Sequence, residues 1–135
     1  MTFTSAELAY LESQRLGRLA TVQPDGTLQV SPVGFQLNTV AGTIDIHGFN
    51  MAASRKFRNV ADNGRVAFVV DDIASVDPWR VRCLEIRGTA EAITAPGGSE
   101  GPVIRIHPRR IISFGIDDPD HGPHELVPNN RDVTG

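Results

Sequence analysis

At 135 residues, 40% hydrophobic and 21% charged, the chain is sized for one domain with a core of its own. A net charge of -3 gives no basic footprint for nucleic acid. The one cysteine, Cys83, rules out an internal disulfide, and no apolar run approaches the ~20 residues needed to cross a bilayer. The start, Met1 to Ser5, has no basic region followed by an apolar stretch, so no secretory signal is expected and the cytoplasm is the default compartment.

Thr4 and Glu7 have the spacing of a capping box, in which hydroxyl and carboxylate satisfy amides at a helix start. With Ala6, Leu8, Leu11 and Leu16 at roughly helical spacing, they predict a helix over about Ser5 to Gln14. Gly17 to Val22 then alternates as a strand does, and Pro24 to Thr27 is turn chemistry. Leu28 to Leu37 reads as the returning strand of a hairpin. Pro32 within it cannot donate to a ladder and calls for an edge or a bulge.

A turn at Asn38 to Gly42 leads into a strand over Thr43 to Gly48. Asn50 to about Ala61 suits a short amphipathic helix, closed by Asn63 and Gly64. Arg65 to Val70 is a strongly β-prone core strand, and Asp71 to Arg80 reads as a polar loop. Val81 to Ile93 alternates over a long span, with Leu84, Ile86, Gly88 and Ala90 on one face. Thr94 to Pro102 reads as a loop, and Val103 to Ile116 as a last strand or pair of strands. From Asp117 to Gly135 no apolar period survives, which predicts an extended or disordered tail. The expectation is one mainly β, antiparallel domain over residues 1–116, with about six strands that close into a barrel to remove exposed edges.

The most informative stretch runs from Gly48 to Lys56. A strand ends at a glycine, and Ser54, Arg55 and Lys56 follow at or near a helix start. Helix amides beside an arginine and a lysine form a ready phosphate site, although the same residues also describe a solvated helix face. Lys56 is the sole lysine of the chain. A second stretch, Gln29 to Phe35, can present backbone groups to a flat heterocycle, or be simply a bulged edge strand. The histidines do not form a metal set: His121 and His124 lie in a Gly/Pro-rich segment with no obvious third ligand, and His47 and His107 stand alone on strands. Cys83 reads as a small buried hydrophobe.

Seven segments in order carry a resemblance: Leu16–Val22, Pro32–Phe35, Thr43–Ile46, Lys56–Val60, Arg65–Asp72, Ala74–Trp79 and Glu85–Glu91. Together they resemble the pyridoxamine-phosphate-oxidase-like superfamily, and within it the branch that uses the deazaflavin coenzyme F420. The resemblance implies an FMN-binding type of split β-barrel, antiparallel and Greek-key-like, working as a homodimer with the cofactor site at the subunit interface. It implies that Gln29, Ser31, Pro32 and Val33 edge the ring, and that Gly48, Ser54, Arg55 and Lys56 surround the phosphate. Arg58, on the same helix, is a partner for the acidic tail of F420, and Trp79 can cover a partner's pocket. Departures from the branch are His47 and Phe49, where a glycine and a histidine are expected, and Phe114, where a tryptophan is common.

The activity so implied is hydride transfer between reduced F420 and a small conjugated organic molecule, with the balancing proton drawn from solvent. FMN at the same site, as an oxidase or flavin reductase, is one alternative. A cofactor carrier without turnover is another. A haem-binding barrel would need an axial ligand, for which His47 is the one well-placed residue.

Overall fold

The computed structural model describes residues 2–94, 101–116 and 128–133. Helix α1 (Ser5–Ser13) starts on the expected capping box: the Glu7 amide donates to Thr4 Oγ1 at 3.2 Å, and the Thr4 amide to Glu7 Oε1 at 2.8 Å. Its inward residues are Glu7, Tyr10 and Leu11, at helical i, i+3, i+4 spacing. Leu16, read from the sequence as part of that face, belongs to the first strand and is half exposed.

Among the described residues eight strands form one sheet, β1 (Leu16–Val22), β2 (Leu28–Gly34), β3 (Gln36–Asn38), β4 (Thr43–Ile46), β5 (Arg65–Ser75), β6 (Arg80–Ile93), β7 (Val103–Phe114) and β8 (Asn129–Asp132). The order across it is β2-β1-β5-β6-β7-β4-β3, with β8 on β7, and every pairing is antiparallel. The two end strands, β2 and β3, are consecutive in the chain and joined by Phe35 alone. That joint curls the sheet on itself, because the chain must carry β2 directly to the opposite end. The single strand expected over Leu28 to Leu37 therefore breaks at Phe35, whose ring turns inward to meet Phe68 edge-on at 5.4 Å.

The core fills the concave side: Leu19, Phe68, Val70, Leu84, Ile86, Ile104, Ile106 and Ile111 are at most 1% exposed. Leu84, Ile86 and Ala90 share this side as their alternation predicts. The register slips between Arg87 and Gly88, and a Cβ at Gly88 would stand 2.2 Å from the His107 carbonyl oxygen. Only glycine permits that approach.

Three other elements differ from the sequence expectation. The region from Asn50 is a 3-10 turn (Met51–Ala53) followed by helix α2 (Arg55–Asn63), because Ser54 interrupts the two as a helix cap. Gly64 closes α2 in the left-handed region at φ 68°, as expected of that residue. The polar stretch Asp71 to Arg80 is mostly strand: β5 continues to Ser75 and β6 resumes at Arg80, forming an arm with a short tip. Two of its acidic residues are matched across the sheet. Asp72 accepts from Tyr10 Oη at 2.8 Å and from Arg82 Nε at 2.9 Å, and Asp71 pairs with Arg18. Beyond residue 116, Asn129–Asp132 forms β8, fixed by Arg110 to Asp132 and by Arg131 to the buried Glu7. Polar side chains hold that strand, so no hydrophobic period announces it.

Among the described residues no helix is long and apolar enough to cross a membrane.

Candidate functional site

The start of α2 is built around Ser54. Its hydroxyl accepts from the Phe57 amide at 3.2 Å and donates to the Met51 carbonyl at 2.7 Å. Ser54 thus makes the helix start; both roles of its hydroxyl are occupied by the fold, which changes it from an expected ligand donor into the cap that aims its neighbours. The amides of Arg55 and Lys56, the first two of the helix, have no intrahelical acceptor. Neither side chain forms an ion pair among the described residues. Two cations and two open amides therefore gather at one helix end, where the helix dipole adds positive potential. Arg58, one turn on, donates to the Ala53 carbonyl at 2.8 Å and leaves the rest of its exposed guanidinium open.

Strand β2 lies beside this helix. Leu28, Val30 and Pro32 face outward, while Gln29, Ser31 and Val33 turn toward the interior. As an end strand β2 has one neighbour, β1, so its other side offers backbone groups to a ligand, and Pro32, which faces Arg18 in the register, is tolerated at this edge. The side chain of Gln29 does not reach outward. Its Oε1 accepts from Thr21 Oγ1 and Asn59 Nδ2, both at 3.3 Å, and Asn59 Nδ2 also donates to Thr21 at 3.0 Å. This cluster ties α2 to β1 and β2 and so fixes the cations relative to the open strand edge. The Ser31 hydroxyl and Asn59 Oδ1 are buried there without a partner. Sequence reasoning missed Asn59 and Thr21; the available signal was a polar residue, Asn59, on the helix face that also carries Val60 and Phe57.

The Asp25 carboxyl, in the β1–β2 turn, lies below its usual range through hydrogen bonds from the Thr27 hydroxyl and amide, with a smaller contribution from Arg55. Arg55 thus stands near that turn as well as beside Lys56.

Gly48 sits against Met51, and a Cβ there would stand 3.2 Å from the Met51 methyl. Phe49 is 97% exposed, and Asn50 after it takes a left-handed conformation at φ 54°. Trp79 is not gathered into this corner. It sits half exposed at the tip of the β5–β6 arm, and β5 leads away from the end of α2 over 11 residues, a span of about 35 Å. Within one chain it serves its own arm; only a second copy could bring it to a site. Cys83 is half buried, and burial pushes its thiol up to about 11, aided by the charges of Asp71 and Glu85, so it is protonated and unreactive at neutral pH. His107 pairs with Glu91. The described residues contain no grouping of three His, Cys, Asp or Glu side chains that could hold a metal, and His121 and His124 lie outside them.

The sequence profile of the family described as pyridoxamine 5'-phosphate oxidase matches residues 3–112. The chain belongs to that family. It is 48% identical over 140 residues to the 5a,11a-dehydrotetracycline/5a,11a-dehydrooxytetracycline reductase of Streptomyces rimosus, covering 99% of this chain and 95% of the relative. Among solved structures, a haem binding protein from Mycobacterium smegmatis superposes with a TM-score of 0.67 at 19% identity, over 94% of this chain and 58% of that one. An FAD binding protein from the same organism gives 0.62 at 20% identity, over 82% and 93%. These structural likenesses show the split-barrel fold, and their ligands differ, so the fold by itself does not select a cofactor.

Proposed function

We propose that the chain is a reductase that transfers a hydride from reduced F420 to a C=C bond of a conjugated, oxygen-rich polycyclic molecule, acting as a homodimer. The observation that carries this reading is the pair of unpaired cations, Arg55 and Lys56, with two open helix amides beside the free edge of β2. The likeness to a reductase along the whole chain supplies the reaction type. The F420-branch motifs, from Leu16–Val22 to Glu85–Glu91, supply the choice of cofactor, with the exposed Arg58 as a partner for an acidic tail.

The residues present fit such a group. Arg55 and Lys56 would hold its phosphate, Arg as a fork and Lys as a compact charge. The backbone from Gln29 to Val33 would edge its ring, with Val30 and Pro32 beside it and Gly48 leaving room next to the helix start. Reduced F420 supplies a hydride when bound. The chain's own part is to orient the donor against the β2 edge and to leave the acceptor open to solvent for the balancing proton.

The outer sheet face supports the reading of a second copy. Leu28 is 76% and Val30 69% exposed, and across the register they adjoin Val22, Ala20, Ala67 and Val69. This apolar strip is bordered by the Arg18–Asp71 and Arg87–Glu85 pairs, and a partner covering it would form the second wall of a site on the β2 edge. Trp79, carried on the arm, would reach the partner's site. The cytoplasm supplies the reduced cofactor for such an enzyme.

FMN is the second reading, favoured by the same cations, which grip any phosphate. The deciding assay follows a dehydrotetracycline-type acceptor spectrophotometrically with reduced F420 or reduced FMN as the donor. Turnover with F420 alone supports the reading. Turnover with FMN alone replaces the cofactor, and tight F420 binding without turnover on a broad acceptor panel makes the protein a carrier.

A further inference from the structure

Two adjoining cavities lie between the end of α1 and the β2–β3 joint. One, of about 430 Å3, is lined by Leu11, Glu12, Gln14, Phe35, Gln36, Leu37 and Thr39. The other, of about 330 Å3, is lined by Gln14, Arg15, Gly34, Phe35, Gln36 and His47. Gln14, Phe35 and Gln36 belong to both, so the two make one elongated groove. Its ends differ in chemistry. Leu11, Leu37 and the Phe35 ring make the first end apolar, with Glu12 at its mouth.

The other end is polar and short of partners. Gln36 pairs with Asp45 across β3 and β4, while Gly34, beyond the break at Phe35, pairs with Leu16 of β1. A Cβ at Gly34 would meet the Arg15 carbonyl oxygen at 3.8 Å, and the His47 imidazole, which lines the same end, has its Nε2 buried without a hydrogen-bond partner. Arg15 is exposed and makes no ion pair among the described residues, unlike Arg18, Arg82, Arg105 and Arg131, which are all matched to carboxylates. Gly34 is also the last residue of β2, directly following the Gln29–Val33 edge assigned above to the cofactor ring.

We infer that this groove is the acceptor subsite, taking a flat polycyclic molecule lengthwise, with an anionic enolate or phenolate edge against Arg15, Gln36 and His47. Glu12 repels that edge from the apolar end and so sets one orientation. The buried His47 Nε2, which lacks a protein partner, discriminates for a ligand that supplies one, since a ligand without it leaves the nitrogen unpaired. The position of the groove at the end of the β2 edge brings the acceptor alongside the hydride donor. This inference rests on the reductase reading for the identity of the ligand, but its test needs no turnover.

Oxytetracycline serves as the probe, titrated into the full-length protein without cofactor and followed by ligand fluorescence. Arg15→Ala should weaken binding about tenfold, by loss of a charge-assisted hydrogen bond. Gln36→Ala should weaken it less, and the distant Arg65→Ala not at all. Circular dichroism confirms that the exposed Arg15 substitution leaves the fold intact. Equal binding by wild type and Arg15→Ala overturns the proposal, as does absence of binding to wild type. So does a loss confined to F420 affinity, which would hand Arg15 to the cofactor's acidic tail. Failure of the wild type to reduce any acceptor while these binding differences hold would count against the reductase reading and leave the groove as a binding site.

Discussion

The end of the molecule around α1 and the arm differs sharply from the end around the start of α2 in how charge is handled. At the α1 end the buried Glu7 and the partly buried Asp72 have partners, while the exposed Arg15 beside the groove makes no ion pair among the described residues. Glu7 is 1% exposed and accepts from Arg131 Nη1 and Nη2, both at 2.6 Å. Asp72 takes Arg82 and Tyr10, and the Arg82 guanidinium also lies over the Tyr10 ring at 5.1 Å. At the start of α2, two adjacent cations and two amides have none. Folding alone has no use for such an unmatched cluster, because unpaired like charges at a helix N-terminus oppose one another and the dipole. The difference separates side chains that hold the protein together from those kept open for a ligand.

The largest effect should come from breaking the matched end. Arg131→Ala leaves the buried Glu7 carboxylate uncompensated and should cost ~3 kcal/mol in urea unfolding. Cofactor affinity under native conditions should change little by comparison; a parallel collapse of both would merge the two ends into one functional unit. Next comes the outer face. Val30→Asp places a charge in the proposed apolar interface, and sedimentation should show monomer where the wild type is dimer. A wild-type monomer that binds cofactor tightly would remove the partner wall from the account.

Smaller still are the effects of pH on the matched end. The Arg82 guanidinium holds the Asp72 carboxyl below its usual range against opposing burial, with help from Tyr10. Burial pulls the Asp45 carboxyl upward, but Arg105 and the Thr43 hydroxyl outweigh it and hold it low. Depressed carboxyls contribute stability that is present above about pH 4 and fades as pH falls through their folded values. Asp72→Asn should therefore flatten the acid limb of the stability profile, by less than about 1 kcal/mol given its partial exposure. Tyr10 moves in the opposite sense: burial and Asp72 push its hydroxyl upward, so that contribution is lost as pH rises past about 10. Tyr10→Phe should blunt the alkaline fall, as read by thermal melts across the range.

The two ends also differ in how legible they were from sequence. The cations of α2 stood out because residue type and position, Arg55 and Lys56 after a serine at a helix start, carry their own chemistry. Their lack of partners did not, since it depends on what every other strand brings nearby. In the sequence the arm reads as a loop, because Asp71 and Asp72 are residue types that favour solvent. Only the fold shows that they meet Arg18 and Arg82 across the sheet. The same holds for β8, whose Arg131 finds Glu7 across 124 residues of sequence. Alternation made β1, β6 and most of β7 plain, whereas the break at Phe35 was hidden, since a single inward ring looks like any other strand residue. The seat of Gln29 was half legible: its strand was correct, but its side chain serves the contact with Asn59 and leaves the ring edge to the backbone.

The central claim is that the unmatched cations of α2 hold the cofactor phosphate. Equilibrium titration of F420 and FMN into wild type and Lys56→Ala tests it most directly. The account predicts tighter binding of F420 than of FMN by wild type, and a loss of roughly 1.5–3 kcal/mol in the variant with an unchanged melting temperature. Equal affinity of the two proteins for the cofactor that binds would contradict it.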